Sequence, residues 1–563
     1  MLFCWSWLYR FNDPEGGFAG LFDDHFFYAV RGWQILYGDL PSRDFVDIGA
    51  PLTFAFAAAA QLTLGPGAWS EMVFCVTALS VASAVTYLVA WRASGSTVIA
   101  LVAACLQISL QPRYYNYPKV LVYAVAIPAI WGFVDKQTRW RRVALALITA
   151  IGFLLRHDHG IFVGLAVAAA LALMAHVPWR ARVRHVVIYG ALVMVLLAPY
   201  LVYLQINGGV INHLVVANTW SSRDRGRAPF VRPRFALMPT ADEALPEGDA
   251  EWWKRGPFTV AARNAEPWLF WFLVGLPIAA LLTLPLASAR VRPDWPNARL
   301  KIAVVALLTI LLDVGFLRGR LSSRFGDVSV PSAVLAAWLL GTWAVLIVRG
   351  LPARAASLAR WRMAAVRAAG IVALALMVVP TAMVLTPAFW ERLDLAGMTE
   401  RPGYPFERFA LLTRRLRATW PLENWSSPDL PGSMKLAFYL RDCTEPDDRV
   451  FISQYLPQVP ALAQRAFAGG HPDLRPGFFS TDADQRLTIA RLRTHRVPIA
   501  ILPTEEEYEG FRKDFPRVDA YFATDYRDAG EIDFEDGARV RVFVRRDLTP
   551  VRTYEPLQRP CFR

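Results

Sequence analysis

"LAVAAALALMAHVPWRARVRHVVIYGALVMVLLAPY", residues 165–200, sets two apolar runs on either side of a short loop that carries Arg180, Arg182 and Arg184 and no acid. Each run approaches the roughly 20 apolar residues that cross a bilayer, and basic loops mark the cytoplasmic side. The stretch therefore reads as two spans joined inside the cell. Extending the same reading gives ten candidate spans, near 70–91, 96–111, 118–134, 142–155, 160–178, 185–204, 268–287, 300–317, 329–348 and 369–388. The further basic loops carry Arg92; Lys136, Arg139, Arg141 and Arg142; Arg290, Arg292, Arg299 and Lys301; and Arg349, Arg354, Arg360, Arg362 and Arg367. The complementary segments then face outward: residues 1–69, "QPRYYNYPK", "RHDHG", the loop 205–266, "RGRLSSRFGD" and everything after about 390.

Composition agrees with that topology. Of 563 residues, 55% are hydrophobic and 13% aromatic, and the mean hydropathy is +0.30, values that exclude an ordinary soluble domain. The net charge of +13 is that of arginines anchoring helix ends, which accounts for the basic balance without nucleic acid. The expected fold class is a polytopic α-helical membrane protein of about ten spans plus interfacial helices, followed by a C-terminal extracytoplasmic α/β domain. The expected domains are 1–69, a first external loop with an acidic motif; 70–388, the transmembrane domain including the loop 205–266; and 389–563, the soluble domain. "APLTFAFAAAAQLTLG", 50–65, reads as a helix in the interface, because a full span there would invert residues 1–49. "MLFCWSWLYR" offers too few apolar residues to span or to act as a signal peptide, so the chain is expected to begin downstream of a missing first span.

The outward segments hold the chemistry. "GLFDDHFFYAV", 20–30, places Asp23, Asp24 and His25 in an apolar run, where charge tends to mark function. If 21–36 is helical, adjacent carboxylates point about 100° apart, so one faces a reaction centre while the other pairs or orients. Arg43, Asp44 and Asp47 follow in "YGDLPSRDFVDIGAPL". Arg113 and Lys119 lie among three tyrosines, suited to interfacial anchoring or to phosphate contact. "LLRHDHGIF" holds Arg156, His157, Asp158 and His159; the histidines lack the i, i+4 spacing of a helical metal site, and an Arg/Asp pair permitting a tight turn at Gly160 is the simpler reading. Arg318, Arg320 and Arg324 break the positive-inside pattern and call for an anionic partner. The loop 205–266 is long enough to act as a lid or acceptor platform.

In the C-terminal part, "DDRVFIS" and "VPIAILP" read as buried strands, "DADQRLTIARLRTH" as a helix, and "EIDFEDGARVRVFVRR" as a hairpin turning at Glu535, Asp536 and Gly537. The five cysteines show no metal-ligand spacing. If this part is outside the cytoplasm a Cys443–Cys561 disulfide is available; otherwise the two remain thiols.

The acidic pair on a first external loop, followed by "YGDLPSRDF" and an "APL" helix start, resembles the C-type glycosyltransferase superfamily (GT-C), nearest to its protein O-mannosyltransferase and aminoarabinose transferase branch. "FDDHF", 22–26, is similar to the mannosyltransferases' Phe-Asp-Glu-x-His-Phe, one residue shorter and with Asp for Glu. The resemblance implies a bacterial inner-membrane enzyme using polyprenyl-phosphate sugars and a glycan, lipid or protein acceptor. It gives Asp23 the place of the general base and Asp24 that of the second acid, with His25, Arg43, Asp44, Arg156 and Asp158 as accessory candidates. The Glu-Lys-Pro-Pro-Leu of aminoarabinose transferases is replaced by Ile48, Gly49, Ala50, Pro51 and Leu52. Arg113, Lys119, Arg318, Arg320 or Arg324 would then bind the donor phosphate. The Trp-Trp-Asp of oligosaccharyltransferases is absent, since "EWWKRG" has Lys after the tryptophans. No cofactor is expected and a divalent cation is not indicated. The competing class is a carrier or flippase for lipid-linked glycans, or a scaffold; it would place charge at mid-membrane depth, where Asp313 is the main acid.

Overall fold

The computed structural model describes residues 1–13, 23–110, 112–227, 230–236, 257–286, 295–318, 321–349, 360–417, 432–475, 477–534 and 539–563. Arg320, "EWWKRG" and the turn at Glu535, Asp536 and Gly537 lie outside the described residues. Among the described residues, seven helices are long and apolar enough to cross a membrane: Ala68–Ser94, Tyr114–Asp135, Trp179–Ile206, Ala265–Thr283, Ala298–Leu317, Ser322–Val348 and Gly370–Leu395. The chain is a polytopic helical membrane protein with a small C-terminal sheet. The remaining expected spans are the shorter helices Thr97–Ser109, Arg139–Leu155 and His157–Ala172. Local chemistry limits them: the Ser96 hydroxyl caps the first by accepting from Ile99 N–H, and Arg156, extended at φ −169°, separates the other two. The loop 205–266 is not irregular throughout, because Val210–Arg227 and Pro257–Arg263 are helical.

The chain forms two compact units, each assembled from three stretches. The first comprises Met1–Asp13, Val76–Pro199 and Asp224–Pro405. Its ionic ties collect at the two ends of the helix Tyr117–Asp135. Asp135 meets Arg92 at 2.8 Å and Lys301 at 2.5 Å, whereas Lys119 meets Asp327 at 2.5 Å. At 1.5 Å per residue these ends stand about 24 Å apart, close to the hydrocarbon thickness of about 30 Å. The opening residues, too short to span, form the helix Leu2–Asn12. Its Tyr9 packs with Ile108, Leu393 and Ala396.

The second unit comprises Pro14–Cys75, Tyr200–Arg223 and Phe406–Arg563. Its sheet has strands β1 (Arg449–Ile452), β2 (Ala466–Phe467), β3 (Ile499–Leu502), β4 (Tyr526–Asp533) and β5 (Arg539–Arg545), in the order β2-β1-β3-β5-β4. β1 runs parallel to β2 and β3, and the two strands of the expected hairpin are the antiparallel pair β4 and β5. Residues Phe451, Ala500, Leu502, Phe511, Phe515 and Phe522 form its apolar core. The hairpin β6 (Arg552–Tyr554) and β7 (Arg559–Cys561) ends the chain. Cys561 is disulfide-bonded to Cys443, 118 residues earlier.

The N-terminal segment is stitched to that sheet by polar groups. The buried Gln34 amide donates to Phe467 O and accepts from Phe467 N–H, both at 3.0 Å, so a side chain completes the free edge of β2. Asp39 takes both guanidinium nitrogens of Arg449, and Val46 N–H donates to Gly470 O at 3.0 Å. The ring of Phe45 meets that of Phe467 edge-on, 5.7 Å between centroids.

Two outcomes follow from this packing. Helix Phe26–Leu36 lies so close to helix Pro51–Leu64 that a Cβ at Gly32 would stand 2.6 Å from Ala58 N. Gly32→Ala should lower stability by about 1–3 kcal/mol through overpacking, outweighing a helix-propensity gain of about 1, as read by thermal unfolding in detergent. Cys443→Ser should cost about 2–5 kcal/mol because the cross-link restrains a long loop in the unfolded chain; unfolding of the unaltered protein with and without reductant gives the same comparison.

Candidate active site

The sequence candidates fall into two groups, one in each unit. In the second unit, Asp23, Asp24 and His25 form a 3-10 turn and the helix begins at Phe26. The expected helix over 21–36 is therefore corrected at its start: the acids stand ahead of the first helical turn rather than on a helical face. The backbone of Asp23 is described and its side chain lies outside the described residues. Asp24 Oδ1 accepts a hydrogen bond from Tyr455 Oη at 2.5 Å. Burial pushes the Tyr455 pKa up, and the adjoining Asp24 carboxylate pushes it further, so the phenol keeps its proton and is the donor.

Behind this pair lies Arg31, 2% exposed. Its Nη1 donates to Phe27 O at 2.7 Å, and its guanidinium stands 3.8 Å from the centroid of the Phe27 ring. No carboxylate forms an ion pair with it among the described residues; Asp473 and Asp47 act on it only through the field. Burial brings its pKa down to about 10, still cationic at pH 7. The neighbouring acids are already engaged. Asp473 pairs with Arg475 at 2.5 Å, while Asp47 accepts from Gly49 and Ala50 N–H and from Tyr200 Oη at 3.1 Å. Arg43 and Asp44 bind each other at the surface, with Arg43 Nε donating at 2.8 Å.

The first unit gathers the cations. Lys119 Nζ meets Asp327 Oδ2 at 2.5 Å, and Asn116 Nδ2 donates to Oδ1 at 3.1 Å, so both Asp327 oxygens are occupied. Arg156 and Arg324 are near enough to act electrostatically on Lys119. Arg156 Nη2 donates to Asp158 at 2.9 Å. Arg324 has no ion pair among the described residues, and its buried Nε has no hydrogen-bond partner there. The cluster thus sets Lys119, Arg156 and Arg324 against Asp158 and Asp327. Arg113 is exposed and donates to Tyr115 Oη at 2.7 Å. The Arg318 side chain, like all of Arg320, lies outside the described residues.

The two histidines of "LLRHDHGIF" diverge. His157 stacks on Phe153 with centroids 4.2 Å apart, and His159 Nδ1 lies 2.5 Å from Tyr123 Oη. The turn falls at Arg156 rather than Gly160. Gly160 instead lets two helices touch, since a Cβ there would stand 2.3 Å from Phe153 Cα. Among the described residues no group of three His, Cys, Asp or Glu side chains is placed to hold a metal ion.

Asp327, Tyr455 and Arg31 escape the sequence reading. Arg31 alone carried a signal there, a lone cation in the apolar run "FFYAVRGW". Asp327→Asn should leave the buried Lys119 ammonium without its counter-charge and lower stability by about 3–5 kcal/mol. Lys119→Met combined with Asp327→Leu should restore most of that loss in the same unfolding measurement.

No family model and no curated protein matches the chain. Its structural neighbours include ArnT from Cupriavidus metallidurans. The apo form is 13% identical over 92% of this chain and 93% of that one, with a TM-score of 0.46. The form bound to undecaprenyl phosphate is 12% identical over 96% of each chain, with a TM-score of 0.48.

Proposed function

We propose that the chain is an integral membrane glycosyltransferase that moves a sugar from a polyprenyl-phosphate donor to an acceptor on the extracytoplasmic side, with inversion. One observation carries the reading: spanning helices end in a cation-rich cluster in which Arg324 has no carboxylate partner among the described residues, an arrangement suited to a lipid-linked phosphate. Asp23 takes the proton of the acceptor hydroxyl as its oxygen attacks the anomeric carbon. The bond from that carbon to the phosphate oxygen breaks, and the phosphate departs as an anion, so no general acid is needed. Arg324 and Arg156, in the first unit, are the candidates for holding the donor's phosphate. Lys119, already neutralised by Asp327, supports the cluster more than it binds phosphate. Arg113, Arg318 and Arg320 remain candidates for outer phosphate contacts. Asp24 orients the acidic turn, and His25, Arg43 and Asp44 shape its surroundings.

The Cys443–Cys561 disulfide supports an extracytoplasmic C-terminal domain, since such bonds persist in oxidising compartments. The carrier reading draws on Asp313, but that residue lies four residues from the end of the span Ala298–Leu317 rather than at its middle, which favours chemistry at a surface over a conduit.

The test is release of free polyprenyl phosphate by the purified protein in liposomes supplied with a panel of polyprenyl-phosphate sugars. Asp23→Asn should abolish release with the folded protein retained, and Arg324→Ala should lower kcat by about 10²–10³-fold. Undiminished turnover by Asp23→Asn would refute the assignment of the base.

A further inference from the structure

Asp24 and Tyr455 are 431 residues apart in sequence, yet their hydrogen bond lies within one compact unit. Tyr455 stands in the run that leaves the carboxyl end of β1. β1 has parallel neighbours on both sides, β2 and β3, so the connections after β1 and β2 carry the chain first to one side of β1 and then to the other. In open α/β sheets the crevice outside the strand ends at such a point is where ligand-binding side chains gather.

The tyrosine is held on its other faces as well. Arg475 stands 4.3 Å from its ring centroid and pairs with Asp473, while Leu474 N–H donates to Ser453 O at 3.0 Å and ties that run to the same strand end. Arg31, seven residues beyond Asp24 and thus about two helical turns on, feels both Tyr455 and Asp473. The C-terminal domain therefore does more at this place than cover the acidic turn.

We infer that the C-terminal domain completes the active site, with Tyr455 as a positioning residue whose hydroxyl fixes the carboxylate of Asp24 and, through it, the turn that presents Asp23. The inference rests on the glycosyltransferase reading and adds to it a residue and a domain. A neutral phenol is suited to the task, because a second cation in its place would pair with Asp24 and a carboxylate would repel it.

The experiment uses the full chain in liposomes with a polyprenyl-phosphate sugar that the unaltered protein turns over. Tyr455→Phe should lower kcat by about 10–100-fold, the scale of a small misplacement of reacting groups, with the donor KM within about twofold. In an Asp24→Ala background the same change should cost nothing further, as expected for residues acting as one unit. Tyr508→Phe, which removes a comparable 2.7 Å bond to Asp519 in the same domain, should leave kcat within about twofold. Should Tyr455→Phe not fold, Asp24→Asn, which keeps an acceptor oxygen for the phenol, should retain at least about tenfold more activity than Asp24→Ala. Equal activity of those two variants, wild-type turnover by Tyr455→Phe, or independent multiplying losses in the double variant would overturn the inference while leaving the glycosyltransferase reading intact. If the unaltered chain releases polyprenyl phosphate from no donor in the panel, that reading fails and the inference falls with it.

Discussion

The second unit depends on a side-chain amide doing the work of a β-strand. β2 is a two-residue edge strand whose inner side is paired to β1, and a buried edge with unmatched N–H and C=O groups would be costly. The Gln34 amide offers β2 an N–H and a C=O as a peptide group would, and its other N–H goes to Asp39 Oδ2 at 2.5 Å. Helix Phe26–Leu36 is thereby held in register with the sheet, and the acidic turn at its start is held with it. Asp39, bound to Arg449, secures the segment that follows.

Charge is managed differently in the two units. At both ends of the helix Tyr117–Asp135 the buried lysines are matched by carboxylates, as burial requires. Among the described residues, guanidiniums without a carboxylate pair occur in both units: Arg10 and Arg324 in the first, and Arg465 and Arg31 in the second, Arg31 leaning on an aromatic face and a carbonyl. Arginine is the residue best able to bear such a position, being weakly hydrated and able to stack.

How far the sequence could be read follows from the range of the forces involved. Apolar runs and the arginines between them are local signals, and they located the long helices and the strands β1 and β3. Asp23, Asp24 and Arg324 could be singled out because a charge in an apolar run, or on the unexpected side of a membrane, is visible without knowing its neighbours. Partnerships are not visible in that way. Asp327 follows an arginine-rich stretch that drew attention from it, and nothing near Lys119 in sequence announces its counter-ion 208 residues away. Tyr455 sits among ordinary loop residues, and its role depends on the parallel order of strands that only the tertiary fold fixes. Gln34 looks like a polar residue on an interfacial helix until the sheet edge is set against it.

The Gln34 contact has a further consequence for biogenesis. Its partner lies 433 residues downstream, beyond all seven of the membrane-crossing helices among the described residues. During synthesis the early segment must wait, unsatisfied, while the whole helical bundle is threaded into the bilayer, and only then can the last-made portion close upon it. Contacts so remote in sequence form late: a ribosome that stops anywhere before residue 467 leaves an inserted chain whose acidic turn has never acquired its supporting wall.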